Sequence, residues 1–381
     1  MYKLKDFAQD ISVAIKDVQS SPFDRFVGLE HYDSGEPVIT RYTDKSLLSS
    51  SVKEFRKNDI LIARRNVYLK RAGIAFFDGL TSGDSIVLRV YDDCESRTGI
   101  SKQDAIRIIP FILNSNAFWA YANKHADGMN SKRISKEMLY DYEFDLPPIA
   151  EQKVLADKLW AAYRLKESYK KLLTATEEMV KSQFIEMFGD PMVNDKQWSE
   201  YSCISEITQI VLGSTPNSKE PSYWDGDIRW ITPAEMTDQS YYIFDTVRHI
   251  TDEGRKAANL TVLPEGTVLF STRAPIGKVA IVGKEMCCNQ GFKNFICSEK
   301  LNNVFLYYTL KLKKDYLCSL GTGTTFKELS KRTVESLKIA VPPIELQNQF
   351  ETIYNQADKS GFELRKSIDA IDAIIKSLIN S

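Results

Sequence analysis

The sequence is short of the residues that build metal centres. His31, His125 and His249 stand at no ligand spacing from one another, and the six cysteines (Cys94, Cys203, Cys287, Cys288, Cys297, Cys318) include no Cys-x-x-Cys pair. Reduced, partly buried thiols are expected, and no metal site. Catalytic signatures are missing too. There is no Gly-x-x-x-x-Gly-Lys-Ser/Thr loop to cradle a triphosphate, and no Asn-Pro-Pro-Tyr or Asp-Pro-Pro-Tyr segment to hold a flipped adenine. Gly321-Thr322-Gly323 begins like a dinucleotide fingerprint, but Phe326 stands where its last glycine belongs, so it reads as a turn. Glu151-Gln152-Lys153 has the form of a nuclease Glu-x-Lys but falls in a helical stretch. No catalytic residue is expected. No apolar run approaches the roughly 18 residues of a membrane helix, and the opening Met1-Tyr2-Lys3-Leu4-Lys5-Asp6 is no signal peptide, so a cytoplasmic protein without membrane contact is expected. Charge of one sign is also lacking. The net charge is −1, so attraction to a polyanion has to come from local clusters.

What is present is a duplication. Gly128-Met129-Asn130-Ser131-Lys132-Arg133-Ile134-Ser135-Lys136 leads into Leu146-Pro147-Pro148-Ile149-Ala150-Glu151-Gln152. Gly323-Thr324-Thr325-Phe326-Lys327-Glu328-Leu329-Ser330-Lys331 leads into Val341-Pro342-Pro343-Ile344-Glu345-Leu346-Gln347. The offset is 195 residues throughout, with identities at Gly128/Gly323, Lys132/Lys327, Ser135/Ser330, Lys136/Lys331, Pro147/Pro342, Pro148/Pro343, Ile149/Ile344 and Gln152/Gln347. That many matches in one ungapped register point to a repeated unit.

Each unit reads as a strand-rich body followed by a long helix. In residues 1–146, Asp59–Arg65 is a short apolar strand running into a basic turn. Gly73–Phe77 and Ser85–Val90 are further strands, and Pro110–Asn123 is helical, with Phe111, Phe118 and Trp119 as core. In residues 189–341, Gly266–Arg273 matches the strand at Asp59, but at an offset nearer 208. Lys278–Val282 and Phe292–Cys297 follow as strands, and the Thr-Pro-Asn-Ser and Tyr-Trp-Asp-Gly stretches between Gly213 and Asp238 read as loops. Tyr223, Trp224, Tyr241 and Tyr242 are expected to pack.

The proline pairs suit first helical turns, so helical segments are expected over 147–188 and 342–381. Both carry a heptad seam: Leu155, Leu159, Ala162, Lys166, Tyr169, Leu173, Thr176, Val180, Gln183 and Met187 in the first, and Phe350, Tyr354, Ala357, Gly361, Leu364, Ile368, Ile371, Ile375 and Leu378 in the second. Heptad steps suit a helix partner, so an antiparallel coiled coil is expected. The alternative is two amphipathic helices, each packed on its own domain. A helix of this length spans roughly 50–60 Å at about 1.5 Å per residue, against about 34–36 Å for one turn of DNA. The expected fold class is α+β: two strand-rich domains separated by two long helices, with a pseudo-twofold internal repeat.

With these features the chain resembles the specificity (S) subunits of type I restriction-modification systems, the HsdS family. The resemblance covers nearly the whole chain. It is carried by Leu146-Pro147-Pro148-Ile149-Ala150-Glu151-Gln152, the Phe184–Pro191 exit, Phe270–Gly277, and Gly321–Thr325. Leu346, where the first copy has Glu151, is a small departure. The resemblance implies a non-catalytic subunit in which 1–146 and 189–341 are target-recognition domains, each reading half of a bipartite double-stranded DNA target. The helices would set the spacing and dock methyltransferase (M) subunits. It implies no cofactor on this chain; S-adenosylmethionine and ATP are expected on the M and restriction (R) subunits of the complex, which methylates adenine N6 and cleaves DNA.

The candidate DNA-binding residues are clusters at matching places. Arg64, Arg65, Lys70 and Arg71 flank a turn between strands, and Lys132, Arg133 and Lys136 follow Gly128. Arg273, Lys278 and Lys284 surround the matching turn of the second unit, and Lys327, Lys331 and Arg332 follow Gly323. Such side chains neutralise phosphates, and arginine also grips guanine; each cluster reads equally as a solvated basic face. Other functions the sequence allows are a stand-alone DNA-binding or anti-restriction protein of the same fold, and a coiled-coil scaffold that binds only proteins.

Overall fold

The computed structural model describes residues 1–47, 52–129, 131–201, 203–237, 239–273, 275–323 and 327–380. Ala274 of the Phe270–Gly277 motif, Asn130, and Thr324, Thr325 and Phe326 of the repeated stretch lie outside the described residues. The chain divides into two compact units, Met1–Lys171 with Leu364–Ser381, and Leu172–Glu363.

The first unit is built on a five-stranded sheet ordered Ala8–Asp10, Ser85–Val90, Ile60–Ala63, Ala72–Ala75, Val38–Ile39. All pairings are antiparallel except the last, Val38↔Ile74. The second unit repeats this order and these directions with Thr208–Leu212, Lys293–Cys297, Val268–Phe270, Val279–Val282 and Tyr242–Ile243, again ending on a parallel pair, Tyr242↔Ile281. A short antiparallel pair ties the beginning of each body to its end, Tyr2↔Phe144 and Tyr201↔Ile339. The strands read from the sequence at 59–65, 73–77, 85–90, 278–282 and 292–297 coincide with sheet strands to within a few residues, because each is a buried apolar run. Among the described residues the units differ in their second sheets, which have five strands in the first unit and three in the second.

Two readings are corrected. The helical stretch Pro110–Asn123 is two helices, Lys102–Ile112 and Asn116–His125, because Ser115 caps the second by accepting a hydrogen bond from the Phe118 amide (3.0 Å). The Tyr-Trp-Asp-Gly stretch is no loop beyond Tyr223. Trp224 opens the strand Trp224–Ile231, whose pairing register shifts between Trp224 and Ile228, with Asp225 in the left-handed region at φ 59°. Such a bulge hides a strand from a propensity reading. Trp224 is buried with its ring centroid 5.2 Å from that of Trp230.

The two long helices run Ile149–Phe188 and Ile344–Asn380. In the first unit, Leu155 and Leu159 of the first helix join the core with Ile375, Leu378 and Ile379 of the second. In the second unit, Phe184 and Phe188 join Phe350 and Tyr354. The start of each helix thus meets the end of the other, so they are antiparallel. None of the seam residues Leu155, Leu159, Tyr169, Leu173, Val180, Phe350, Tyr354, Leu364, Ile368, Ile371, Ile375 and Leu378 is exposed. The seam is incomplete as read, however. Ala156, Trp160 and Tyr163 are also buried, and Trp160 donates from Nε1 to the Arg107 carbonyl at 2.9 Å. The first helix therefore packs on its own domain and on the other helix at once, which widens its apolar face beyond a two-stranded seam.

The repeated identities have architectural causes. Gln152 Nε2 donates back to the Pro147 carbonyl (2.9 Å) and Gln347 Nε2 to the Pro342 carbonyl (2.7 Å), both side chains being buried. Each turns a proline-blocked helix entry into a closed loop. Gln347 also donates to the Lys300 carbonyl and accepts from the Asn302 amide, bonds for which Gln152 has no counterpart among the described residues. Leaving a buried polar partner unmet costs about 1–3 kcal/mol. Gln347→Ala is therefore expected to destabilise the second unit by roughly 3 kcal/mol, and Gln152→Ala the first by only about 1 kcal/mol. Amide hydrogen exchange, which reads the two units separately, checks the difference; equal losses would refute it.

Candidate nucleic-acid interface

Three segments meet at the same place in each unit. In the first, the Arg64 amide donates to the Asp84 carbonyl (2.9 Å), the Ile134 amide to the Arg64 carbonyl (3.0 Å) and the Ala63 amide to the Arg71 carbonyl (3.0 Å). In the second, the Thr272 amide donates to the Gly291 carbonyl (2.8 Å), the Leu329 amide to the Thr272 carbonyl (2.9 Å) and the Ser271 amide to the Lys278 carbonyl (2.9 Å). A tight hairpin completes each junction, Asp127 exchanging both backbone bonds with Arg133, and Thr322 with Glu328. Bridges Arg65↔Arg133 and Arg273↔Glu328 join hairpin to strand end. These bonds equate Arg64 with Thr272, Arg65 with Arg273, Arg71 with Lys278, Asp84 with Gly291 and Arg133 with Glu328. Both offsets seen in the sequence, 208 on the strand and 195 on the hairpin, meet at this point.

The residues shared by the two hairpins follow from their geometry. Gly128 and Gly323 have φ of 111° and 120°, and a Cβ on Gly128 would lie 2.8 Å from the Ser131 carbonyl oxygen. Ser135 and Ser330 cap the short helices Lys136–Tyr140 and Lys331–Glu335, accepting from the Met138 and Thr333 amides at 3.2 and 3.0 Å. No such backbone role accounts for the remaining lysines of the hairpin pattern, Lys132/Lys327 and Lys136/Lys331, which are exposed.

The candidate cations divide by environment. Arg64, Arg65 and Arg133 are half-buried at the junction of the first unit. Arg71 and Lys278 point inward. Arg71 donates to the Leu29 and Arg65 carbonyls (2.9 and 3.0 Å), and burial draws its guanidinium below its usual range. Lys278 Nζ donates to the Pro233 and Met236 carbonyls (2.9 and 2.6 Å). At equivalent positions both brace a short 3-10 turn, Leu29–His31 or Pro233–Glu235, so they serve as struts and not as free cations. Lys70, half-buried and left-handed at φ 50°, ends the 3-10 turn Val67–Leu69. Lys284 is exposed but leaves the cluster: it lies beyond the far end of the strand Val279–Val282, roughly 20 Å of extended chain from Lys278 at about 3.3 Å per residue. Lys327 and Arg332 are exposed, and Lys331 pairs with Glu335 at 3.4 Å. The sequence reading missed Lys293, buried at the second junction with its Nζ 3.0 Å from Thr272 Oγ1 and 3.3 Å from Glu328 Oε1. A lysine beginning an apolar strand, Lys293–Cys297, was the available signal.

Among the described residues no cluster of three His, Cys, Asp or Glu side chains is placed to hold a metal ion, and no helix is long and apolar enough to cross a membrane.

Two mixed units with the same sheet order, each bearing this junction and each holding parts of two antiparallel helices, define a duplicated α+β architecture. Residues 196–371 match the family described as the type I restriction modification DNA specificity domain. Over 189 residues the chain is 35% identical to the type I restriction enzyme MjaIX specificity subunit of Methanocaldococcus jannaschii, covering 49% of this chain and 44% of that protein. Over 267 residues it is 25% identical to the putative type I restriction enzyme MjaX specificity subunit of the same organism, covering 66% and 61%. It is 24% identical over 188 residues to the HindI specificity subunit of Haemophilus influenzae, covering 48% and 41%. The chain thus spans about half the length of the curated relatives it matches. In fold it is similar to the type I restriction-modification S subunit from M. genitalium, with TM-score 0.57, 13% identity and coverage of 99% and 94%. It is also similar to a chain solved in work on the complex assembly and conformational transition of the type I R-M system, with TM-score 0.55, 17% identity and coverage of 100% and 98%. Residues 196–371 thus match the type I restriction modification DNA specificity domain, and the chain as a whole is similar to type I specificity subunits in sequence and in fold.

Proposed function

We propose that this chain is the DNA-specificity subunit of a type I restriction-modification complex, each unit reading one half of a bipartite duplex target. The observation that carries this reading is the twice-built junction, where a strand end and a glycine hairpin bring arginines and lysines together by the same backbone bonds. Such clusters attract phosphates and can grip base edges. In this reading the chain is non-catalytic and cytoplasmic, S-adenosylmethionine and ATP sit on M and R subunits, and the long helices set the spacing of the two half-sites.

The first helix also supports docking of an M subunit. Leu165, Leu172 and Met179 follow one another by sevens immediately beside the seam, and each is about half exposed. A two-stranded coil normally carries charge at such flanking positions; apolar residues there suit a further helix.

Single-molecule sequencing of methylated host DNA tests the proposal. Removing the gene while leaving the methyltransferase gene intact is expected to abolish one set of bipartite modified sites. Deleting one heptad from each helix, about 10 Å of rise, is expected to shorten the unread gap. An unchanged set of sites after gene removal would overturn the function, and an unchanged gap the spacing role.

A further inference from the structure

We propose that the two units hold DNA by unequal means. The first presents an arginine cluster without a sufficient counter-ion, which takes backbone phosphates, whereas the second has its matching arginine neutralised from within. This deepens, and rests on, the reading of the chain as a DNA-specificity subunit.

The backbone junctions are equivalent, so the side chains on them can be compared position by position. In the second unit Arg273 Nε donates to Glu328 Oε2 at 3.0 Å, and the buried Lys293 lies 3.3 Å from the other carboxylate oxygen while donating to Thr272 Oγ1. Two cations share one carboxylate, and Arg273 Nε and Lys293 Nζ both have protein partners.

In the first unit the residue in place of Glu328 is Arg133, so arginine faces arginine across the bridge Arg65↔Arg133. Like charges directly opposite on paired strands are destabilising. Arg64, in place of Thr272, adds a third guanidinium, and its Nε is buried without a hydrogen-bond partner. Arg65 Nε lies 3.2 Å from Asp84 Oδ2 but makes no aligned hydrogen bond. Asp127 and Glu137 are the other acids on the hairpin and the short helix after it; neither forms an ion pair with these arginines among the described residues, and the exposed Glu137 feels the Arg64 charge only beyond ion-pair distance. Lys132 and Lys136 are exposed, as are Lys327 and Lys331 at the equivalent positions of the second unit, so the difference between the units lies in the arginines. Three arginines carried on one backbone junction, one of them with an unmet buried Nε, match an anion with several acceptor oxygens. On a DNA-reading chain, that anion is the phosphodiester backbone.

The test uses the full-length chain, alone and with its M subunits, and a mixed-sequence DNA duplex of roughly four helical turns. Binding is titrated between about 50 and 200 mM salt. Each phosphate contact contributes about 0.9 to the slope of log affinity against log salt. The double variant Arg65→Gln/Arg133→Gln is expected to flatten the slope by roughly 2, and Arg273→Gln to leave it nearly unchanged. Glu328→Gln releases Arg273 and is expected to steepen the slope by about 1. That gain cannot arise from misfolding, so it tests the proposal even if the arginine variants fold poorly. Equal flattening by the two arginine substitutions, or no steepening with Glu328→Gln, overturns the inequality while leaving DNA recognition standing. Absence of duplex binding by the unaltered chain in both settings overturns the functional reading itself.

Discussion

Replacing Lys166 by Met is expected to destabilise the first unit by about 3 kcal/mol, the low end of what removing one partner from a buried ion pair costs. Lys166 interrupts the apolar seam, yet it is among the most deeply buried charged residues of the chain. Its Nζ lies 2.7 Å from Glu36 Oε1 on the globular body and 2.6 Å from Asp372 Oδ1 on the second helix, so one ammonium joins three elements of the unit. Lys170 also reaches Glu36 Oε1, at 2.8 Å, which limits the loss. Thermal or urea unfolding followed at the first unit's Trp160 reads the effect. Lys166 and Glu36 act on each other directly, so the double variant Lys166→Met/Glu36→Gln is expected to lose less than the sum of the two single losses; if the losses simply add, the ion-pair explanation fails.

The same network sets a pH dependence. Burial by itself would push the Glu36 carboxyl up, but hydrogen bonds from Lys166 and Lys170 outweigh it and hold the group below the usual carboxylate range. A group with a depressed folded pKa contributes stability that is present above its unfolded value, about 4.3, and is lost as pH falls through the folded value. Acidification is therefore expected to weaken the first unit, and Glu36→Gln to remove that part of the acid sensitivity.

Phe350→Ala is expected to cost the second unit about 3–5 kcal/mol, the range for deleting a buried aromatic side chain. Phe350 is fully buried where the second helix begins. Its ring centroid lies 5.1 Å from that of Phe184, 5.6 Å from Phe188 and 5.3 Å from Tyr308. Phe184 and Phe188 belong to the end of the first helix and Tyr308 to the helix Asn303–Leu312 of the globular body, so one ring holds both long helices to the domain. Hydrogen exchange is expected to show accelerated opening over the second unit and little change in the first. A loss below about 1 kcal/mol would mean that the aromatic cluster collapses around the cavity.

Several elements were legible because their causes are local. A proline pair cannot sit inside a helix but suits its entry, and the heptad steps that follow can be counted without a structure. Buried strands appear as short apolar runs, and the glycine of the hairpin is required wherever the chain turns through positive φ. The duplication was legible for a different reason: two copies of one sequence obey the same constraints at the same spacing, so the register shows even where neither copy's geometry does.

What the residues alone could not decide was the fate of each charge. Arg71 and Arg65 are near neighbours in one basic turn, yet Arg71 turns inward to carbonyls, while Arg65 faces Arg133 from a hairpin more than sixty residues further on. Lys166 read as a flaw in a helix seam, because Glu36 and Asp372, which complete it, are distant in sequence and meet only through folding. The sequence by itself determined a repeated unit, its long helices and the motifs that carry its resemblance to type I specificity subunits, since periodicity and motif depend on neighbours along the chain. Only the tertiary structure decided which cations brace carbonyls, which pair with a carboxylate and which face another cation, since that depends on partners brought together through space.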